Sequence, residues 1–290
     1  MTGAPESVCT LGATLGEGPV WIAGEAALWF VDIKQKKLHR FDPDAGRLAS
    51  WDAPAQIGWI LPAEDGGLIA GLQHGLYLFD RATGDFALLA ETEADLPGNR
   101  LNDATTDPDG RIWFGSMDDG EAAESGRFYR FERGAIADAG LPPVAITNGP
   151  AVSPDGRRLY HTDTIGKVIH VADIGADGKL SNSRPFVRFG PDDGYPDGPT
   201  VDAEGCLWTG LFAGWEARRY SPAGALLETV RFPVSNVTKL AFGGPDLRTV
   251  YATSAAKGLS ERSLAKQPEA GNLFSFRADV PGLPMTPAAL

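Results

Sequence analysis

The sequence has little of what marks several large classes of protein. Its 290 residues contain two cysteines, Cys9 and Cys206, which form neither a CxxC pair nor a disulfide framework, so we expect two small buried side chains. The longest apolar stretches are short, such as ALWFV at 27–31, far below the roughly 20 residues of a spanning helix. The N-terminus lacks the basic start and apolar run of a signal peptide. We therefore expect a soluble, cytoplasmic protein whose mature chain begins near Met1 and which has no membrane partner.

Positive charge is also scarce. The chain has 26 Lys and Arg residues against 38 Asp and Glu residues, a formal net charge of −12. Nucleic acids and anionic surfaces bind basic patches, because such patches release counterions. The charge balance therefore argues against a nucleic-acid partner.

Several catalytic signatures are absent as well. No two of the four histidines have metal-ligand spacing such as HxxxH, and no GxSxG elbow, P-loop or dinucleotide fingerprint occurs. Little of the sequence predicts helix, and SERSLAKQP at 260–268 is the best candidate for one short helix. Serine-esterase and nucleotide chemistry are thus unsupported.

What the sequence does contain is a repeat. The stretch DATTDPDGRIWFGS at 103–116 recurs as GPAVSPDGRRLYHTD at 149–163 and as GPTVDAEGCLWTGL at 198–211, and weaker copies begin at residues 16, 60 and 239. Each copy has an apolar alternation, a Gly-containing turn and a strand, which is the hairpin signal. Six copies at a spacing of about 40–50 residues indicate a repeat architecture.

Further strands complete each repeat. A third strand follows every hairpin, as in KKLHRFDPDAG at 36–46, and a fourth follows in five repeats, as in FALLAETE at 86–93. The last repeat ends at GNLFSFRADV (271–280) without a fourth strand, and the spare strand is SVCTLG at 7–12. A sandwich would not need a single period, and a solenoid would have a shorter one. We predict an all-β, six-bladed β-propeller with four-stranded blades, closed by the N-terminal strand, as a single domain over residues 1–290.

Three repeats place an oxygen-bearing side chain before the same Gly-Pro: GEGP at 16–19, NGP at 148–150 and DGP at 197–199. In a ring of blades, equivalent residues of successive repeats lie on one circle, so residues at the entry to the inner strands converge on the central channel. In sequence order, that position holds Glu17, Gly58, Asn102, Asn148, Asp197 and Thr238.

The channel position predicts a metal site made by Glu17, Asn148 and Asp197. Three oxygen ligands leave positions of a six- or seven-coordinate ion open to water or substrate, which suits a catalytic site. The absence of His and Cys favours a hard divalent cation such as Ca²⁺, Mg²⁺ or Mn²⁺, with Zn²⁺ and Fe²⁺ also open. The alternative is that Gly-Pro shapes the strand entry and the preceding residue only caps a turn.

The chain resembles the gluconolactonase, senescence marker protein and regucalcin family of six-bladed lactone hydrolases over nearly its whole length. It is most similar to the bacterial sugar lactonases of the xylonolactonase type, through GSMDDGEAAESGRFYRF at 115–131. The other motifs that carry the resemblance are LGEGPVW at 15–21, FVDIKQKKLHRFD at 30–42, NRLNDATTDPDGRIWFGSM at 99–117, ITNGPAVSPDG at 146–156, YPDGPTVDAEGCLW at 195–208 and QPEAGNLF at 267–274.

The resemblance implies roles for individual residues. The family's metal ligands fall on Glu17, Asn148 and Asp197, and its substrate-contacting Arg and Asn fall on Arg100 and Asn102. An acidic substrate contact shortly after the Gly-Ser-Met motif falls on Asp119 or Glu121, of which we favour Glu121.

The implied activity is hydrolysis of aldonolactones, such as xylono-, arabinono-, galactono- or gluconolactone, to the aldonic acid. The metal would act as Lewis acid, and Asp197 would be both ligand and proton shuttle. Arg100, Asn102 and Glu121 would bind the substrate hydroxyls.

Two other functions stay open at this point: a non-catalytic metal- or ligand-binding propeller, and hydrolysis of a phosphotriester or a non-sugar lactone by the same metal. We also expect Trp59, Phe212 and Trp215 to form an apolar wall of the pocket that favours sugar lactones over long-chain acyl lactones. The alternative is that these aromatic side chains pack between blades. The sequence leaves the preferred lactone, the native cation and the oligomeric state open.

Overall fold

Alternating apolar strands and tight turns form six four-stranded antiparallel sheets in this computed structural model, which describes residues 3–290. Blade 1 comprises β2 (Gly16–Ile22), β3 (Ala27–Asp32), β4 (Lys37–Asp42) and β5 (Arg47–Asp52). Blade 2 comprises β6 (Ile57–Pro62), β7 (Leu68–Leu72), β8 (Gly75–Phe79) and β9 (Phe86–Glu91). Blade 3 comprises β10 (Asn99–Thr106), β11 (Ile112–Asp118), β12 (Phe128–Glu132) and β13 (Ala135–Asp138).

The second half of the chain repeats this order. Blade 4 comprises β14 (Thr147–Val152), β15 (Arg158–Asp163), β16 (Val168–Ile174) and β17 (Leu180–Arg188). Blade 5 comprises β18 (Tyr195–Val201), β19 (Leu207–Phe212), β20 (Glu216–Tyr220) and β21 (Leu226–Arg231). Blade 6 comprises β22 (Val237–Gly243), β23 (Thr249–Ser254), β24 (Leu273–Arg277) and the N-terminal β1 (Glu6–Cys9).

The predicted six-bladed β-propeller is confirmed, including its closure. Strand β1 pairs antiparallel with β24, so the first and last described strands share one sheet. The expected short helix is also present, as α1 (Glu261–Leu264), and the Ser260 side chain caps it by accepting a hydrogen bond from Ser263 N–H. The expected start of the mature chain near Met1 lies outside the described residues.

The turns inside the blades explain why an acidic residue precedes a buried tryptophan in two repeats. Asp107 in blade 3 accepts hydrogen bonds from the backbone of its own turn and, through Oδ2, from Trp113 Nε1 at 2.9 Å. Asp202 in blade 5 makes the same bonds, with Trp208 Nε1 at 2.9 Å. Each indole is thereby buried with its N–H satisfied, which avoids the cost of an unpaired buried donor.

Apolar contacts between neighbouring blades form most of the core. Buried clusters join blades 1 and 2, blades 2 and 3, blades 4 and 5, blades 5 and 6, and blades 6 and 1. Aromatic pairs lie within them, such as Trp59 with Phe114 at a centroid distance of 6.1 Å. The ring is therefore stabilised by packing of sheet against sheet, with the inner strands left to surround the channel.

Every inner strand has a bulge near its start. The register with the second strand shifts between Glu17 and Val20 in blade 1, and at the equivalent place in the other five blades. A bulge leaves residues unpaired and redirects their side chains. The channel positions predicted from the repeat all lie at or beside these bulges.

The C-terminal segment, residues 282–288, crosses the end of the channel opposite the bulges. Gly282 forms a bridge with Asp202 of blade 5, and Ala288 forms a parallel bridge with Ala63 after blade 2. Between them, the carbonyl of Thr286 accepts a hydrogen bond from Thr106 Oγ1 of blade 3. The segment therefore ties blades on opposite sides of the ring. Within residues 3–290, no helix is long and apolar enough to cross a membrane.

Candidate functional site

The Gly-Pro motifs build the site through their glycines. Gly18, Gly149 and Gly198 have φ values of 55°, 74° and 43°, in the left-handed region that glycine tolerates best. Space is also limiting, because a Cβ on Gly198 would lie 2.4 Å from the Cβ of Lys239 in the next blade. A glycine is therefore required immediately after Glu17, Asn148 and Asp197, where neighbouring blades approach each other closely.

A cavity of about 280 Å³ lies at this end of the channel. All six site residues predicted from the sequence line it: Glu17, Arg100, Asn102, Glu121, Asn148 and Asp197. They come from blades 1, 3, 4 and 5 and from the loop that follows β11. The structure thus brings together residues that are up to 180 positions apart in sequence.

The two carboxylates of the predicted triad are buried and close enough to repel each other. Burial first, and then the charge of Asp103, raise the pKa of Glu17 to about 8, against a hydrogen bond from Gly18 N–H at 2.9 Å. Burial and the charge of Glu17 raise the pKa of Asp197. Burial therefore disfavours the charged form of both carboxyl groups, and a cation held between them would favour it.

A divalent cation fits this pair. The Oδ1 atom of Asp197 is buried and has no hydrogen-bond partner within residues 3–290, so one carboxylate lone-pair direction is unused. No group of three or more His, Cys, Asp or Glu side chains in the described part of the chain could hold a metal ion, so a cation here depends on two carboxylates and the Asn148 amide. Such an all-oxygen set suits hard cations.

A hydrogen-bond chain orients the amide of Asn148. Its Nδ2 donates to Thr164 Oγ1 at 3.0 Å, and its Oδ1 accepts from Asn102 Nδ2 at 3.1 Å. Asn102 Oδ1 in turn accepts from Arg100 Nη1 at 2.6 Å. Arg100, Asn102 and Asn148 are therefore one buried network across blades 3 and 4.

The two acidic candidates after the Gly-Ser-Met motif have different places. Asp119 accepts hydrogen bonds from Arg100 Nε at 2.8 Å, from Gln56 and from Lys34, and it does not line the cavity. Glu121 lines the cavity and is paired with Lys257. Asp119 thus anchors the guanidinium of Arg100, whereas Glu121 is the one of the two acids that lines the cavity.

The sequence reasoning missed an ion pair beneath the triad. Lys239 Nζ donates to Asp103 Oδ1, and both side chains are buried. Asp103 Oδ2 also accepts from Gly149 N–H at 3.0 Å, directly after Asn148. The repeat register contained the signal, because Asp103 and Lys239 immediately follow the channel positions Asn102 and Thr238. Lys257, in the loop after β23, has no counterpart in the repeat that could have indicated it.

The expected apolar wall is partly wrong. Trp59 is 1% exposed and packs between blades 2 and 3, so it does not line the cavity. Phe212 does line it, together with Ile165 and Tyr195. Trp215 is 40% exposed and is not one of the lining residues.

The opposite end of the channel opens into a larger cavity of about 1040 Å³. It is lined by many prolines and by the C-terminal segment, and it contains none of the six predicted site residues. Lys239 is part of its lining, so the Asp103–Lys239 pair lies between the two cavities. The small cavity is the candidate site because the buried carboxyl groups of Glu17 and Asp197 line it and do not line the larger one.

Fold and site together define a class, the six-bladed propellers with a buried Glu-Asn-Asp set at one mouth of the channel. The sequence model described as "SMP-30/Gluconolactonase/LRE-like region" matches residues 15–256. The chain belongs to this family.

Individual relatives agree with that assignment. The chain is 35% identical over 271 residues to the 6-deoxy-6-sulfogluconolactonase of Pseudomonas putida, which covers 93% of each chain. It is 37% identical over 265 residues to the L-arabinolactonase of Azospirillum brasilense, covering 90% of this chain and 87% of the relative. A crystal structure described as a calcium-binding protein, regucalcin, from Agrobacterium tumefaciens superposes with a TM-score of 0.95 at 28% identity, covering 99% of this chain and 98% of that one.

Proposed function

We propose that the protein hydrolyses aldonolactones, such as xylono-, arabinono-, galactono- or gluconolactone, to the aldonic acids in a reaction that depends on a divalent cation. The observation that carries the proposal is the buried Oδ1 of Asp197, which has no hydrogen-bond partner among residues 3–290 and lies with the buried Glu17 carboxyl group in a cavity of about 280 Å³. Two relatives that share most of the chain are named as sugar lactonases, which supports the substrate class.

The cation would be held by Glu17, Asn148 and Asp197. When bound, it would supply Lewis-acid polarisation of the lactone carbonyl and acidify water, which together are worth several kcal/mol. Ca²⁺, Mg²⁺, Mn²⁺, Zn²⁺ and Fe²⁺ are the candidates, and the relative described as a calcium-binding protein supports the presence of a divalent ion.

The residues of the chain would then carry out the proton transfers and hold the substrate. Asp197 accepts a proton from the attacking water as the new C–O bond forms, and it returns that proton to the ring oxygen as the ester C–O bond breaks. Arg100, Asn102 and Glu121 orient the hydroxyl groups, because all three line the same cavity.

We infer that the chain acts as one propeller domain over residues 1–290, because the cavity takes its lining from blades 1, 3, 4, 5 and 6. We further infer a cytoplasmic protein whose ligands are small-molecule sugar lactones, with no nucleic-acid or membrane partner.

The test is release of acid from gluconolactone and xylonolactone, followed with a pH indicator and corrected for uncatalysed opening. The protein is treated with a chelator and then reloaded with each of the five cations in turn. We expect hydrolysis that is lost with the chelator and restored by at least one cation. Hydrolysis that is unaffected after complete metal removal would refute the metal requirement.

Two further outcomes separate the alternatives. No acid release above background with any cation would leave a non-catalytic binding propeller as the function. Faster cleavage of a long-chain acyl-homoserine lactone or a phosphotriester than of every aldonolactone would refute the sugar as the substrate.

A further inference from the structure

Lys257 lies in the candidate cavity although neither the repeat nor the family resemblance pointed to it. Its backbone is fixed, because Lys257 N–H donates to Thr14 O at 2.9 Å and Lys257 O accepts from Asn236 Nδ2 at 3.0 Å. Its ammonium group donates to Glu121 Oε1. The backbone of Lys257 is thus fixed, and its long side chain reaches the cavity, where it pairs with Glu121.

The partner Glu121 is held from the opposite side of the ring. It belongs to the turn after β11, where its N–H donates to Asp118 O at 3.0 Å. The next two N–H groups donate to Asp118 Oδ2 at 2.9 and 2.8 Å. The Lys257–Glu121 pair therefore joins blade 6 to blade 3 across the cavity, with both ends preorganised.

Exposure places this pair nearer the solvent than the triad. The side chains of Lys257 and Glu121 are 27% and 35% exposed, whereas Glu17 and Asp197 are 4% and 6% exposed. A lactone whose carbonyl lies at the triad would therefore direct its far carbon atoms toward Lys257 and Glu121.

The chemistry of the pair is that of a two-point contact for hydroxyl groups. An ammonium group has three N–H donors, and within residues 3–290 Glu121 is the side chain bonded to Lys257 Nζ, so further donors remain for a ligand. Glu121 offers acceptor oxygens beside them. Because the two charges cancel, the pair suits a neutral polyol better than an acid.

We propose that Lys257 is a substrate-binding residue and that, with Glu121, it forms a subsite for the hydroxyl groups farthest from the carbonyl of a neutral sugar lactone. This inference rests on the proposed lactonase function. It adds a residue and a reason for selecting the polyol, separate from the groups that act at the carbonyl.

The experiment compares Lys257→Met with the wild type on two δ-lactones, gluconolactone and δ-valerolactone, which has the same ring without hydroxyl groups. We expect the KM for gluconolactone to rise about 10–100-fold, the scale of a lost charged hydrogen bond, with kcat within about threefold. For δ-valerolactone, kcat/KM should be unchanged, or its inhibition constant should be unchanged if it is not hydrolysed. Lys37→Met is the matched control, because Lys37 pairs with the exposed Asp52 on the outside of blade 1. This variant should leave the kinetic constants for both lactones unchanged.

A double variant tests the shared subsite. Glu121→Gln combined with Lys257→Met should lose less than the product of the two single losses, because each single change already breaks the pair. If Lys257→Met does not fold, as judged by its thermal transition, Lys257→Gln replaces it in the same comparison.

Several results would overturn the inference. These are an unchanged KM for gluconolactone, an equal loss on both lactones, and strictly multiplicative effects of the two changes. A fourth is a wild-type preference of more than about tenfold for a lactone with a terminal carboxylate that Lys257→Met abolishes, since the site would then select an acid. A wild-type protein that hydrolyses no lactone refutes the proposed function itself.

Discussion

The blades of this ring fall into two groups at the same structural position. In blades 1, 4 and 5 the bulge of the inner strand carries a polar residue followed by Gly-Pro, and in blades 2, 3 and 6 it does not. The first group contributes Glu17, Asn148 and Asp197 to the cavity, and blade 3 of the second group contributes Asn102.

The second group shows what the channel position holds in blades that do not carry one of the three predicted metal ligands. In blade 2 it is Gly58, where a Cβ would lie 2.6 Å from the carbonyl oxygen of Leu101. In blades 3 and 6 the residue after the channel position is charged, and these residues, Asp103 and Lys239, pair beneath the site. The comparison indicates that every inner strand has the bulge, and that Gly-Pro follows the channel position only in the blades that carry the three predicted metal ligands.

The largest expected effect comes from breaking the first group at Asp197. Asp197→Asn keeps an oxygen ligand and nearly the same volume but removes the group that accepts the proton of water. We expect kcat at saturating cation to fall roughly 10²–10⁴-fold, with a near-normal melting temperature. If more than about a tenth of wild-type kcat remained, the base would have to be sought at Glu17 or Glu121.

The next largest effect is expected in the second group, from removal of the Lys239 charge that pairs with Asp103. Lys239→Met leaves the buried Asp103 carboxylate without its cation, which should lower the free energy of unfolding by about 3–5 kcal/mol in urea titrations. The double variant Lys239→Met with Asp103→Asn should recover part of that loss. A double variant no more stable than the single one would show that the charge of Asp103 is not the cause.

A smaller effect is expected at Asn148. Asn148→Ala should weaken cation binding at least about tenfold, as measured by calorimetry, and excess cation should partly restore turnover. Thr238→Val is the control from the second group, since Thr238 occupies the same position in blade 6 and its hydroxyl donates to Gly16 O. Equal losses of cation affinity in the two variants would erase the distinction between the groups.

The smallest expected effect lies outside both groups, at His161 in β15. Burial, and the nearby His170, lower its pKa to about 3. The unfolded chain therefore binds a proton near pH 6.5 that the folded protein does not, so stability is lost as the pH falls below that value. His161→Gln should reduce this loss by about 1 kcal/mol between pH 6.5 and 5.5, and leave activity at neutral pH unchanged. An unaltered slope of stability against pH would contradict the assignment.

The ring and the Gly-Pro positions could be predicted from the sequence because both are periodic. The register that aligned Glu17, Asn148 and Asp197 needed only the repeat and closure of the ring. Lys257 could not be found this way, because it lies in a loop outside the repeated strands and meets Glu121 only across the channel. Trp59 was misplaced because the bulge beside Gly58 determines which way the following side chain faces, and here it faces the neighbouring blade.

The closure of blade 6 sets an order for the making of the protein. Strand β1 is synthesised before the other described strands, and its partner β24 follows more than 260 residues later. At the roughly 5–20 residues per second of translation, β1 lacks its partner strand β24 for at least about ten seconds. Blades 1 to 5 can each form from contiguous chain in that time, whereas blade 6 must join the two ends. Contacts of such long sequence separation are slow to form, so completion of this one sheet is the step at which a growing chain is most exposed to pairing with another copy.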